Sequence, residues 1–158
     1  MKALIGCLLA AVVGFLALAA SAAPFAVGDS LPPITAQDQH GLAFNATNGF
    51  QFLLVATEMD CAKAANKALA GQGAGFLEQH HAAYLLDIHT MPGIARFFAF
   101  PKMRKYPQRI ILVDSAEALA AFPRQPGRVT VVGVTPAHRV VSINYWDPDK
   151  EPVAGCFP

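Results

Sequence analysis

Cys61 is the residue best placed to do chemistry in this chain of 158 residues and three cysteines. It follows the apolar run Phe52-Leu-Leu-Val-Ala56 and precedes Ala62-Lys-Ala-Ala65, so it lies where a strand passes into a helix. The positive end of a helix lowers a thiol's pKa, and so does a nearby cation such as Lys63, whereas Glu58 and Asp60 raise it. A dithiol that exchanges disulfides needs two cysteines two residues apart, one to attack and one to resolve the mixed disulfide. The tetrapeptide here is Glu58-Met59-Asp60-Cys61, or Met59-Asp60-Cys61-Ala62 in the other register, and either holds a single thiol. Cys156 could supply the second. A Cys61–Cys156 disulfide would close a loop of about 95 residues, worth roughly 4–5 kcal/mol if unstrained.

The compartment follows from the N-terminus. Lys2 precedes the apolar run Ala3 to Ala20, and Ala20-Ser21-Ala22 has the small-x-small form of a signal peptidase site, so residues 1–22 are expected to be a signal peptide cleaved after Ala22. Of the 12 Lys and Arg only Lys2 lies in that segment, and none of the 11 Asp and Glu does, leaving a formally neutral chain. Its overall charge recruits neither nucleic acid nor anionic lipid, and no membrane attachment is expected after cleavage. Cys7 leaves with the signal. Cys61 and Cys156 then remain in an oxidising compartment, the periplasm, where they can pair or stay as buried thiols.

The rest of the chain, residues 23–158, is expected to form one domain. An N-terminal arm over residues 23–50 is broken into short extended pieces by Gly28, Pro32, Pro33 and Gly41, with a turn at Asp38-Gln-His-Gly41 and a solvated His40. Gln51 to Thr57 reads as a central strand apolar on both faces. Thr57 or Asp60 is a candidate N-cap for the helix that Gly71-Gln-Gly73 ends, and a short helix around 76–81 follows. Ala82 to His89 is the next buried strand. Pro92-Gly93 opens a helix that Pro101 stops or kinks, with Phe97, Phe98 and Phe100 expected as a core-facing stripe. Arg109 to Val113 is a third strand and Ala116 to Phe122 a crossover helix. Arg128 to Val134 and Val140 to Trp146 flank a turn as an antiparallel hairpin. The tail, residues 147–158, is too rich in proline and glycine for a final helix. The whole is an α/β layered domain.

In this order the elements resemble the thioredoxin-like redoxins. Val27-Gly-Asp-Ser-Leu-Pro-Pro33 with Asp38-Gln-His-Gly41 is similar to the N-terminal arm of periplasmic redoxins and peroxiredoxins. Met91-Pro-Gly93, Lys105-Tyr-Pro107 and Val113-Asp-Ser115 resemble small periplasmic thioredoxin-fold proteins without assigned function. The resemblance implies a central mixed sheet flanked by helices and a closing β-hairpin, with the C-terminal helix missing. It also implies a partner-facing groove built from Glu58, Met59, Asp60, Cys61, His89, Arg128, Val129 and Thr130. Val129 takes the place of the cis-proline that faces a thioredoxin dithiol.

Peroxiredoxins lack that proline and keep an arginine there. Arg128 resembles that arginine, with Cys61 as peroxidatic thiol, Cys156 as resolving partner and Thr57 near the position of their threonine. The match is incomplete, because Thr57 lies four residues before Cys61 rather than three, and no proline precedes it. Copper-handling relatives use paired cysteines and a distant histidine, of which Cys61 with His89 would be half. No metal site is assigned, since the second cysteine is absent and the adjacent His80 and His81 diverge from a helix. Nor is a cofactor expected. Gly71-Gln-Gly-Ala-Gly75 follows a helix rather than a strand, unlike a dinucleotide-binding turn. The expected function is a periplasmic accessory or binding module with a degenerate active-site motif, engaging a periplasmic protein or thiol partner. The alternatives are a thiol oxidoreductase or peroxidase using Cys61 and Cys156, and copper handling.

Overall fold

The computed structural model describes residues 23–45 and 49–158. The expected signal peptide, up to its cleavage site after Ala22, lies outside these residues. The described chain forms β1 (Thr35–Asp38), β2 (Ala43–Asn45), β3 (Phe52–Ala56), α1 (Met59–Gln72), α2 (Phe76–Gln79), β4 (Ala82–Asp87), α3 (Gly93–Met103), β5 (Ile111–Val113), α4 (Ala116–Ala120), β6 (Val129–Val134) and β7 (Val140–Trp146). These strands make one mixed sheet of seven in the order β2-β1-β5-β4-β3-β6-β7. β3, β4 and β5 run parallel, while β6 pairs antiparallel with both β3 and β7. No helix among the described residues is long and apolar enough to cross a membrane.

A strand with neighbours on both sides and helices over both faces loses all its water, which is why the β3 residues 53–56 are apolar without alternation. Leu54 and Ala56 face a core filled by α1, α3 and the tail, and Leu53 and Val55 face a second core filled by the N-terminal arm and α4. The arm is a hairpin, as its turn residues predict. Asp38 accepts hydrogen bonds from the amides of His40 and Leu42, both at 2.9 Å, and Gly41 takes a φ of +83° that a side chain would disfavour. Gln39 then mimics a strand neighbour, its amide bridging the Gln108 carbonyl and the Ile110 N–H.

The tail needs no helix to close the first core. The Trp146 indole donates to the Glu151 carbonyl at 2.9 Å, and a 3-10 turn over Val153–Cys156 buries Val153. Phe157 then packs edge-on against Phe52 and Phe76 and stacks on His80 at 4.4 Å. The sheet face that a final helix would cover is thus covered by twelve irregular residues, 147–158.

Two expectations fail here. Neither Thr57 nor Asp60 is the N-cap of α1; Glu58 holds that position in extended conformation, and no side chain caps the first turn. The stripe at Phe97 and Phe98 faces solvent, not the core, with 75% and 70% of each residue exposed, and Phe100 is half-buried. The inner face of α3 is occupied by Ala95, Ala99 and Met103, four residues apart, and at 3.6 residues per turn this sends 94, 97, 98 and 101 to the opposite side. Pro101 is accommodated inside the helix, which runs on to Met103.

Truncating Phe157 to alanine is expected to lower stability by about 2 kcal/mol, less than the roughly 3–5 of a fully buried phenylalanine because its ring is partly exposed, measured by urea unfolding. Asp38 gives a pH signature. Burial works against its charge, but the amide hydrogen bonds from Leu42 and His40 and the guanidinium of Arg109 outweigh that and hold the carboxyl below its ordinary 3.8. The folded pKa is the depressed one, so this stabilisation is present above the unfolded value and lost as pH falls through the folded value. Asp38→Asn should therefore destabilise by about 1–3 kcal/mol at pH 7, with the gap from wild type narrowing below pH 3.8.

Candidate functional site

The carboxyl ends of β3 and β4 and the loop before β6 meet at one end of the sheet. Strand β3 ends at Ala56, and Thr57-Glu58 turns the chain into α1 with the Ala62 N–H donating to the Glu58 carbonyl at 2.8 Å. Because Glu58 is free of capping duty, its side chain reaches across the end of the sheet and accepts a hydrogen bond from the Gly127 N–H at 3.1 Å. Asp60 lies in the first helical turn, paired with Lys63 at 2.9 Å on the exposed side.

Cys61 points inward. It shares the buried row with Ala65 and Leu69, four residues apart, and is only 6% exposed. Burial pushes its thiol up to about 11, and Glu58, Asp147 and Asp149 add to the rise. The charges acting on it are all negative and add to the effect of burial. At that value roughly one molecule in ten thousand carries a thiolate at pH 7. Cys156, in the 3-10 turn, is likewise a free thiol, pushed up to about 12 by burial and by Glu151.

Arg128 is turned toward the closing hairpin and the tail. Its guanidinium donates to the Tyr145 carbonyl at 3.4 Å and lies 3.6 Å from Glu151, tying β6 to β7 and the tail. Val129 and Thr130, expected on the partner-facing groove, are buried instead. β6 is covered on both faces, so all six of its residues are buried, and the Thr130 hydroxyl donates to the Pro123 carbonyl at 2.7 Å. The peptide bonds of the described residues, that of Val129 included, are all trans.

His89 stands at the end of β4 in a setting that sequence reasoning missed. Its Nδ1 meets the Asp87 carboxylate at 2.6 Å, and that carboxylate, itself buried, also accepts from the His89 backbone and lies 4.0 Å from Arg124. Beside it Arg96 clamps the start of α3, donating to the carbonyls of Met91 at 2.9 Å and Ile88 at 2.7 Å and pairing with both oxygens of Asp114. The Arg96 guanidinium holds the Asp114 carboxyl below the usual carboxylate range. The visible signal was Asp87-Ile-His89 at a strand end, an Asx pattern in which a carboxylate two residues back orients the ring. Among the described residues, no three His, Cys, Asp or Glu side chains gather closely enough to hold a metal ion.

Between α1 and α3 the junction opens into a groove of about 400 Å³, lined by Thr57, Met59, Asp87, Met91, Phe98 and Met103 among others. Of the expected groove residues it gathers Thr57 and Met59. The described geometry can hold an apolar group there, next to one buried carboxylate, but it provides no activated nucleophile.

No protein-family model matches the sequence, and no curated protein matches it. Solved structures do. The thioredoxin domain of a thiol-disulfide oxidoreductase from Bacteroides vulgatus superposes with a TM-score of 0.54 at 13% identity, over 85% of this chain and 99% of that one. A peroxiredoxin-like protein from Aquifex aeolicus gives 0.55 at 10% identity over 84% and 83%. A hypothetical protein from Sinorhizobium meliloti gives 0.55 at 19% over 83% and 76%.

Glu58 supplies a direct check on the thiol. Glu58→Gln keeps an acceptor for Gly127 and removes one of the charges that raise Cys61. Since the folded pKa is raised, removing the cause must bring it down, so alkylation by iodoacetamide at pH 8.5 in a Cys156→Ser background should speed up relative to unsubstituted Glu58. An unchanged rate would mean that Glu58 does not act on the sulfur. The mixed sheet, its order and these superpositions agree: the chain has the thioredoxin-like fold.

Proposed function

We propose that this protein is a redox-silent thioredoxin-like binding module, exported to the periplasm by its N-terminal segment and engaging a periplasmic protein there. One observation carries the reading: the one thiol at the strand-to-helix junction is buried in the core and its charge is opposed by three carboxylates, which disfavours the thiolate that any thiol mechanism requires. A peroxidatic or disulfide-exchanging cysteine needs the opposite environment, partly exposed and beside a cation. Arg128 is engaged with Tyr145 and Glu151. Cys61 on this reading is a small apolar side chain that fills the first core.

The groove between α1 and α3 supports the binding half of the proposal. Met59, Met91 and Met103 line it, and unbranched thioether side chains adapt to apolar partners of varied shape. Its rim carries Lys63 and Lys102.

The test compares wild type with Cys61→Ser in dithiothreitol-driven insulin reduction and in peroxide consumption. Both proteins are expected to run at the uncatalysed rate, with Cys61→Ser less stable by about 1–3 kcal/mol because the swap buries a hydroxyl in an apolar core. Turnover by wild type that Cys61→Ser abolishes would overturn the proposal in favour of a thiol oxidoreductase.

A further inference from the structure

The outer face of α3 has no role in the fold. Ile94, Phe97, Phe98 and Pro101 recur at i, i+3, i+4 and i+7, the spacing of a buried helical stripe, yet Ile94 is 75% exposed and all four face solvent. The inner face is apolar as well, so the helix is hydrophobic on two sides and packed on one. The two phenyl rings meet edge-on at 5.3 Å and project outward together rather than folding back over the core.

Charge around the stripe is one-sided. Between Asp87 and Asp114 the chain holds Arg96, Lys102, Arg104, Lys105 and Arg109 and no acid. Arg96 is neutralised by Asp114 and Arg109 by Asp38, but Lys102, Arg104 and Lys105 are exposed and enter no ion pair among the described residues. Lys102 continues the same face at 98+4, and Arg104 and Lys105 follow in the turn that ends the helix, Arg104 with its Nε donating to the Gln39 carbonyl at 3.1 Å, so the apolar stripe ends in a basic turn. Formal neutrality of the domain hides this local excess. An antiparallel second copy would set the basic end of one stripe against the acid-free start of the other, with no countercharge gained.

We propose that α3 is a membrane-docking element whose Phe97 and Phe98 enter the interface of an anionic bilayer while Lys102, Arg104 and Lys105 pair with lipid phosphates. Aromatic side chains favour the headgroup boundary, and a helix with an apolar stripe and a basic flank lies in that plane. The surface shares Phe98 and Lys102 with the groove between α1 and α3, but it is separate from Cys61, and the Cys61→Ser protein carries it unchanged.

The only tryptophan of the chain, Trp146, is buried and reports no surface event, so Phe97→Trp places a probe on the stripe. The full chain carrying Phe97→Trp is mixed with vesicles of phosphatidylcholine and phosphatidylglycerol, or of phosphatidylcholine alone. Anionic vesicles should shift the new tryptophan's emission to the blue, and brominated acyl chains should quench it. Lys102→Glu with Lys105→Glu should weaken the anionic response about 25-fold or more, at about fivefold per cation removed, and salt at 0.5 M should suppress it. No response to either vesicle overturns the proposal, as does an equal response to both. A blue shift on concentrating the protein alone overturns it in favour of a second copy, and one produced by an acidic apolar peptide but not by vesicles overturns it in favour of a protein partner.

Discussion

Strand β3 is buried on both faces inside the seven-stranded sheet, between β4 and β6, and that constraint decides the character of the site. A chain leaving such a strand must dock at once on the core it has just helped to build. Helix α1 does so through Cys61, Ala65 and Leu69, one row at four-residue spacing, so the sulfur is drawn in by the same packing that holds the helix. Withdrawal from water penalises the thiolate, and the carboxylates of Glu58, Asp147 and Asp149 add to the penalty. Fold stability and thiol reactivity are opposed at this one position, and the fold wins.

The surrounding loops are held by groups doing structural work. Glu58 spends its carboxylate on the Gly127 amide, which ties the helix start to the loop before β6. Arg96 spends its guanidinium on two backbone carbonyls and Asp114, which fixes the start of α3. Arg128 fastens β6 to β7 and the tail. With these contacts made, the sheet end is closed by polar bonds, and the open space lies beside it in the methionine-lined groove between α1 and α3. The proposed binding role and the disfavoured thiolate thus have a common origin.

Much of this was legible in the sequence, and the failures share a cause. The runs Phe52–Ala56 and Ala82–Asp87 and the hairpin of β6 and β7 are long apolar or β-branched segments between turn residues, and they lie where such patterns predict. The missing final helix was legible from prolines and glycines, but the means of closure was not, because Trp146, Val153 and Phe157 pack through contacts that no periodicity marks. Phe97 and Phe98 were misassigned because α3 is apolar on both sides, and a pattern alone cannot say which side meets the core when small alanines suffice to fill it. Val129 and Thr130 were expected at a surface because the fold resembled places a ligand-facing loop there, whereas in this chain the strand begins at Val129 and takes both residues into the interior. Net charge likewise averages a basic α3 against acids elsewhere.

The account rests on a protonated Cys61, and titrating that thiol is the most direct test. In a Cys156→Ser protein, thiolate absorbance at 240 nm followed against pH should give a midpoint near 11 for Cys61. A midpoint at or below pH 7 would contradict the account, because it would require a cation or solvent at the sulfur that this packing does not provide.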